Sequence, residues 1–503
     1  MTQKSIIIIG SGIAGLSAGC YGRMCGYQTT IFEKHDKPGG LCTSWKRNGY
    51  TINGCLAFVI GSGPNTAYHE MWRELGVVQA VRMLDYDYFM VVQAKDGREV
   101  GFPMNIDKLE QTLLEIAPED ERLIRKLIKG TRIWTKYGLP VEKAPELLSF
   151  GDKMKFMLTH FPMLLAMGRW KKVSLQELGT QFKNPLLRET IPALTSWYAA
   201  SPTLLRQVIL AYGHMKSAGY PMGGSLEFSL AIARRYEQLG GRLRLGAEVR
   251  EILVEDNRAV GVLLADGTRH RADHVISTAD GRSTLFSMLG GKYVDDKVRR
   301  YYEGGLPTFS PLVSVALGVN RTFPDFPLSA YGKTYLLREP ARVAGMTLER
   351  IIVWVYNFDP SLAPKGKTVV KVLLGGSYEH WKSLAADPKR YASEKETVGK
   401  WVMGQLDERF PGLAAQVEMV DVATPVTWER YTAAWKGSAL GWDSTPQTAF
   451  MPMMKTVPGL DGFFMAGQWV EVGGGVPFVA ASGRNVLQLV CKRDNNPFVT
   501  NTP

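Results

Sequence analysis

The sequence predicts an α/β chain built around a parallel sheet, on three observations. Near the N-terminus, the β-branched run Ile6 to Ile9 meets the glycine turn Gly10-Ser11-Gly12-Ile13-Ala14-Gly15, and a stretch of small residues follows from Leu16 to Met24. A second short strand, Gln28 to Phe32, ends in Glu33. Near the C-terminus, the strand Gly462 to Ala466 runs into Gly467-Gln468, then Gly473-Gly474-Gly475-Val476-Pro477 and a helical stretch from Phe478 to Val490. Short apolar runs punctuated by glycine and followed by helices are the pattern of strands buried on both faces.

The first element is a dinucleotide turn. Gly10 permits the tight turn, Gly12 lets backbone approach a pyrophosphate, and Gly15 lets the helix pack closely on the strand. Ser11, Ile13 and Ala14 complete the turn, and the helix amides after it face the phosphates. A lone glycine pattern of this kind is weak. Here Glu33 stands twenty-three residues after Gly10, where a carboxylate takes ribose hydroxyls and favours a ribose without a 2′-phosphate, and Lys34 follows it. Strand, spacing and acid together predict a Rossmann-type domain.

The next element is Gly39-Gly40-Leu41, continuing through Cys42 to Asn53-Gly54-Cys55. From this point the sequence resembles the FAD-dependent phytoene desaturase, carotenoid isomerase and retinol saturase superfamily, whose second glycine pair lies by the FAD pyrophosphate. Leu41 replaces the family's usual Arg, and Asn53-Gly54-Cys55 replaces its Asp-x-Gly beside the flavin. Cys55 is read as a small packing residue. The resemblance implies a glutathione-reductase-like, amine-oxidase-like FAD domain. It also implies FAD contacts from Val249, which follows Gly240-Gly241, and from Ala279, after the strand at His274. The C-terminal segment would add Gly467, Gln468, Gly475 and Val476. Three successive glycines let backbone approach a planar ring, and a helix N-terminus favours anionic reduced flavin.

These FAD segments, residues 1–76, 213–294 and 424–503, leave two insertions, 77–212 and 295–423, for an α+β substrate domain. The first insertion is expected to be helical and basic. The second alternates strand-like stretches (Leu312 to Val319, Ile351 to Tyr356, Thr368 to Leu374) with a helix from Ser393 to Phe410, which predicts an antiparallel sheet with covering helices.

Composition narrows the partners. The chain has 503 residues, 45% hydrophobic and 21% charged, and a net charge of +12. It is too long for one core, and ordinary proportions exclude a disordered class. Between Glu121 and Lys172 twelve cations stand against four anions. Inside that stretch an apolar, Met-rich run from Met154 to Met167, interrupted by His160 and Pro162, is too short to span a bilayer. It suits a helical part of 121–172 that rests on an anionic lipid surface. Nucleic acid is set aside, because no recognition motif accompanies the charge. The five cysteines form no CxxC pair, so no metal site is expected, and with no signal-peptide stretch the expected place is cytoplasmic, peripheral on a membrane.

The resemblance implies a lipophilic polyene, carotenoid, retinoid or isoprenoid substrate whose carbon-carbon bonds are desaturated or saturated by hydride exchange with the flavin. A redox-neutral double-bond isomerase is the alternative, followed by an amine oxidase and a non-catalytic lipid carrier. The electron donor or acceptor stays open. Catalytic candidates are Glu471, in the loop before the glycines, and Arg430 and Tyr431, in a segment that resembles the family's active-site crossing. Trp134, Tyr137, Trp197, Tyr198, Tyr212, Trp354 and Tyr356 supply aromatic surface for an apolar tunnel.

Overall fold

The computed structural model describes residues 3–194, 201–324, 326, 330–449 and 451–503. Trp197 and Tyr198 lie outside the described residues. Ser5–Ile9 is the middle strand of a five-stranded parallel sheet, in the spatial order Arg242–Arg244, Gln28–Phe32, Ser5–Ile9, His274–Ser277, Phe463–Met465. Ile6 to Ile9 are each 4% exposed or less, so both faces of this strand are covered. Ile6 and Ile8 join the core shared with the helices, while Ile7 and Ile9 join the core that holds Val249, Ile252 and Val262. That division follows the two-residue period of a strand.

The helix Ile13–Met24 follows the first strand directly. The C-terminal helix Val476–Asp494 crosses it where Gly483 meets Ala14. A Cβ on Gly483 would lie 2.3 Å from the Ala14 carbonyl oxygen, and beside this crossing Ser17 Oγ donates to the Ala480 carbonyl at 2.7 Å. The antiparallel strands Val249–Glu255, Arg258–Leu264 and Arg269–Arg271 form a separate three-stranded sheet.

A second large sheet has seven strands, in the order Val417–Ala423, Leu312–Val319, Thr368–Gly375, Met346–Val355, Lys333–Val343, Tyr88–Gln93, Glu99–Pro103. Two expectations are corrected here. The stretch 77–212 is not wholly helical, because Tyr88–Gln93 and Glu99–Pro103 pair with each other and join this sheet. Buried Val100 and Phe102 flank the partly exposed Gly101, an alternation that suits a strand and not a helix. The sheet is also mixed, since Tyr88–Gln93 runs parallel to Lys333–Val343.

The basic stretch folds as the helices Glu121–Tyr137, Phe150–Thr159 and Phe161–Trp170. His160 closes one of the last two and Pro162 sits in the first turn of the next, where a missing amide hydrogen is tolerated. Among the described residues, no helix is long and apolar enough to cross a membrane.

Candidate cofactor and active site

Both glycine turns, the end of the second strand and the start of the C-terminal helix open onto a cavity of about 990 Å³. The two turns are built against each other. The Gly39 amide donates to the Ser11 carbonyl at 2.9 Å, and a Cβ on Gly40 would lie 3.4 Å from Gly12 Cα. Gly10 has φ +94°, and its carbonyl is pinned by Thr278 Oγ1 at 3.0 Å. A Cβ on Gly12 would meet nothing within 4 Å, since that side faces the cavity. A Cβ on Gly15 would lie 2.0 Å from the Gly10 carbonyl oxygen, so this position demands glycine for packing alone.

Two helices begin at this cavity without a side-chain cap. Gly12 is the cap residue of Ile13–Met24 and Gly475, at φ +88°, that of Val476–Asp494. Free amides and the positive end of each helix therefore meet whatever occupies the space, a setting for a phosphate at one end and an electron-rich ring at the other.

Glu33 is held at the cavity wall by three hydrogen bonds. Its Oε2 accepts from the Ser11 amide at 2.8 Å and from Ser11 Oγ at 2.9 Å, and its Oε1 accepts from the His35 amide at 2.9 Å. Ser11 is fully buried and does not line the cavity. Its place is corrected from ligand contact to orienting Glu33. Ile13, Ala14, Lys34, Leu41, Val249, Ala279, Gly467, Gln468 and Val476 all line the same space.

The three catalytic candidates separate. Arg430 and Tyr431, on the helix Pro425–Thr432, line the cavity at the end marked by Lys34 and His35. Lys34 Nζ reaches the Arg430 carbonyl at 3.5 Å, and the Tyr431 ring lies 5.9 Å from that of His35. That places the pair at the Glu33 side of the cavity. Glu471 is not on the cavity wall. Its carboxylate is tied to Lys455 at 3.1 Å, and Lys455 also holds Glu146 at 3.0 Å. Burial pushes the Glu471 carboxyl above its usual range, against the pull of Lys455.

Two buried charged groups, Asp280 on the cavity wall and Lys371 off it, carry little local signature. Asp280, on the wall after Ala279, accepts from the Ser283 amide at 2.8 Å and the Trp435 amide at 2.9 Å, while burial pushes its carboxyl up. Lys371 is 2% exposed and donates to the Asn53 carbonyl at 2.9 Å, with the Trp354 ring 5.5 Å from its ammonium. Burial pushes its pKa down to about 8. The one hint in the sequence is a lysine inside the apolar strand Val369-Val370-Lys371-Val372-Leu373. The Asn53 side chain is internal as well: Nδ2 donates to the Leu56 carbonyl, and Oδ1 accepts from Ser225.

A cradle open at Gly12, two uncapped helix starts and a fixed carboxylate at the ribose position fit a bound dinucleotide, and the volume lies at the upper end of the ~300–1,000 Å³ range of ligand pockets. The chain is 25% identical to a lycopene-forming phytoene desaturase of Pseudescherichia vulneris, over 97% of this chain and 99% of that one. It is 26% identical to the chloroplastic prolycopene isomerase of Arabidopsis thaliana, over 95% of this chain and 81% of that one. An oxidoreductase structure from Methanosarcina mazei superimposes with a TM-score of 0.60 at 19% identity, covering 96% of this chain and all of that one. The family model of the flavin containing amine oxidoreductases matches residues 13–491. With that match spanning nearly the whole chain, the protein belongs to this family and is an oxidoreductase whose cofactor is FAD.

Proposed function

We propose that this enzyme exchanges a hydride between FAD and a carbon-carbon bond of a lipophilic polyene or isoprenoid-like lipid. The observation that carries the reading is the near end-to-end similarity to a carotenoid desaturase and a carotenoid isomerase. The flavin supplies hydride exchange. The chain supplies the remainder: amides at Gly12 to Ala14 take the pyrophosphate, Glu33 takes ribose hydroxyls, and Gly39, Gly40 and Leu41 cover the pyrophosphate side. Val249 and Ala279 flank the nucleotide, with Lys34, Arg430 and Tyr431 around its ribose end. Gly467, Gln468, Gly475 and Val476 meet the flavin, where the helix start favours added negative charge. Glu471, with its raised pKa, is a proton donor only if the Lys455 pairing opens.

A second reading is a redox-neutral double-bond isomerase on reduced FAD, which the prolycopene isomerase similarity favours. Anaerobic flavin spectra with product analysis separate the two. Bleaching of oxidised flavin by a polyene means desaturation, and recolouring of reduced flavin means saturation. A shifted double bond without colour change means isomerisation. Turnover of an amine with peroxide release, and none of a polyene, would overturn both.

The reading includes an anionic membrane surface as the place where substrate is met. Phe150, Leu158, Phe161 and Leu165 are 80, 70, 55 and 60% exposed on the paired helices Phe150–Thr159 and Phe161–Trp170. Exposed Lys153, Lys155, Arg169 and Lys172 stand among or beside them. Met163, Ala166 and Trp170 are buried on the opposite side and hold the second helix to the body. Apolar side chains facing outward with cations around them match an interfacial segment.

A further inference from the structure

We propose that Cys42 and Cys55 form a redox-active dithiol on the wall of the flavin cavity, which closes to a disulfide and exchanges an electron pair with the flavin. The placement follows from a hairpin. The strands Ser44–Arg47 and Tyr50–Asn53 pair with Arg47 opposite Tyr50 and Ser44 opposite Asn53. One step further out, the Gly54 amide donates to the Thr43 carbonyl at 3.0 Å. Cys42 and Cys55 come next on the two chains, just past the end of the ladder, where the Cys42 amide turns back to the Gly39 carbonyl at 2.9 Å. The Thr43–Gly54 hydrogen bond holds the two chains side by side at this point, and a disulfide needs Cα atoms ~4.4–6.8 Å apart.

The side chains agree with the backbone. The Cys42 and Cys55 thiols are close enough to shift each other's ionisation, and both residues line the cavity next to Leu41. Cys42 is buried and its sulfur also lies 3.6 Å from the Ser225 carbonyl, whereas Cys55 opens onto the cavity. The neighbouring Cys42 thiol holds the Cys55 thiol below its ordinary value, and the buried Lys371 ammonium, bonded two residues away at the Asn53 carbonyl, adds to that. A thiolate favoured by a neighbouring cation is the attacking form in disulfide chemistry. Cys20, Cys25 and Cys491 are buried away from the cavity wall.

The step balances. Two S–H bonds break and one S–S bond forms; oxidised flavin takes both electrons and one proton, and the second proton leaves to solvent. Run backwards, the disulfide reoxidises reduced flavin. The pair would thus double the electrons the enzyme holds, from two to four.

Two measurements test this, the first independent of flavin and substrate. Apoprotein treated with oxidised glutathione, then alkylated under denaturing, non-reducing conditions, is expected to show a Cys42–Cys55 linked peptide and three alkylated thiols of the five. Cys42 and Cys55 both recovered alkylated, or either of them linked to another cysteine, overturns the pair. In the second, anaerobic dithionite titration of the holoenzyme is expected to consume four electrons per flavin in wild type and two in Cys55→Ser. The partner variant Cys42→Ala should behave like Cys55→Ser and covers the case in which one of them misfolds. Two electrons per flavin in wild type, or four in the variants, overturns the exchange with flavin even if the disulfide forms.

Discussion

At Glu33 a single carboxylate does two jobs, fixing the Ser11 and His35 amides while facing the cavity. Glu33→Gln keeps the shape but loses the charge that strengthens each of these bonds, to protein and to ribose alike. FAD affinity is expected to fall at least about tenfold, read by flavin retained after gel filtration, on a loss of ~1.4 kcal/mol or more. Lys371 bears on stability instead. Its pKa in the folded protein is about 8, whereas an unfolded lysine stays protonated to ~10.4. Between these values the unfolded chain binds more protons, so this group's contribution rises with pH and is weakest below about 8. Lys371→Met is expected to raise the urea midpoint near neutral pH, by up to ~3 kcal/mol in stability, and the gap to wild type should shrink as pH climbs toward 10. A gap independent of pH would sink that account. Glu33 was legible from its spacing to Gly10, because the motif is local. The Lys455–Glu471 pairing and the Ser11–Glu33 bond were not, since each depends on where a distant or neighbouring side chain turns, which spacing does not encode.

At the scale of elements, the helix crossing at Gly483 and the paired basic helices make opposite demands. A Cβ at Gly483 would press on the Ala14 carbonyl, a backbone atom that cannot rotate away. Gly483→Ala is expected to destabilise by ~1–3 kcal/mol in denaturant unfolding and to lower flavin content, because the strand-helix turn moves with Ala14. The basic helices tolerate change on their outer side. Replacing Leu158, Phe161 and Leu165 by Ser and Lys171 and Lys172 by Glu should leave thermal unfolding within a few degrees of wild type and abolish flotation with anionic liposomes. Equal flotation would remove the membrane surface from the proposal. The break at His160 and Pro162 could be read in advance because proline restricts helices locally. The strand Tyr88–Gln93 could not, since its ladder partner Lys333–Val343 is more than two hundred residues away, and Glu99–Pro103 joins the sheet only through Tyr88–Gln93. Local pattern underestimates a strand whose stability comes from a distant neighbour.

At the scale of the whole molecule, the parallel sheet under the cofactor draws its strands from residues 5–9, 28–32, 242–244, 274–277 and 463–465. The helix that supplies the last uncapped start, Val476–Asp494, comes later still. During synthesis at ~5–20 residues per second, roughly half a minute to a minute and a half separates the first strand from the fifth. For that interval the growing chain carries a glycine turn and a half-built sheet with an open edge at His274–Ser277. Tight FAD retention is then an event of the completed polypeptide, and nascent chains stalled before Phe463 should retain no flavin while already exposing surface that invites chaperones.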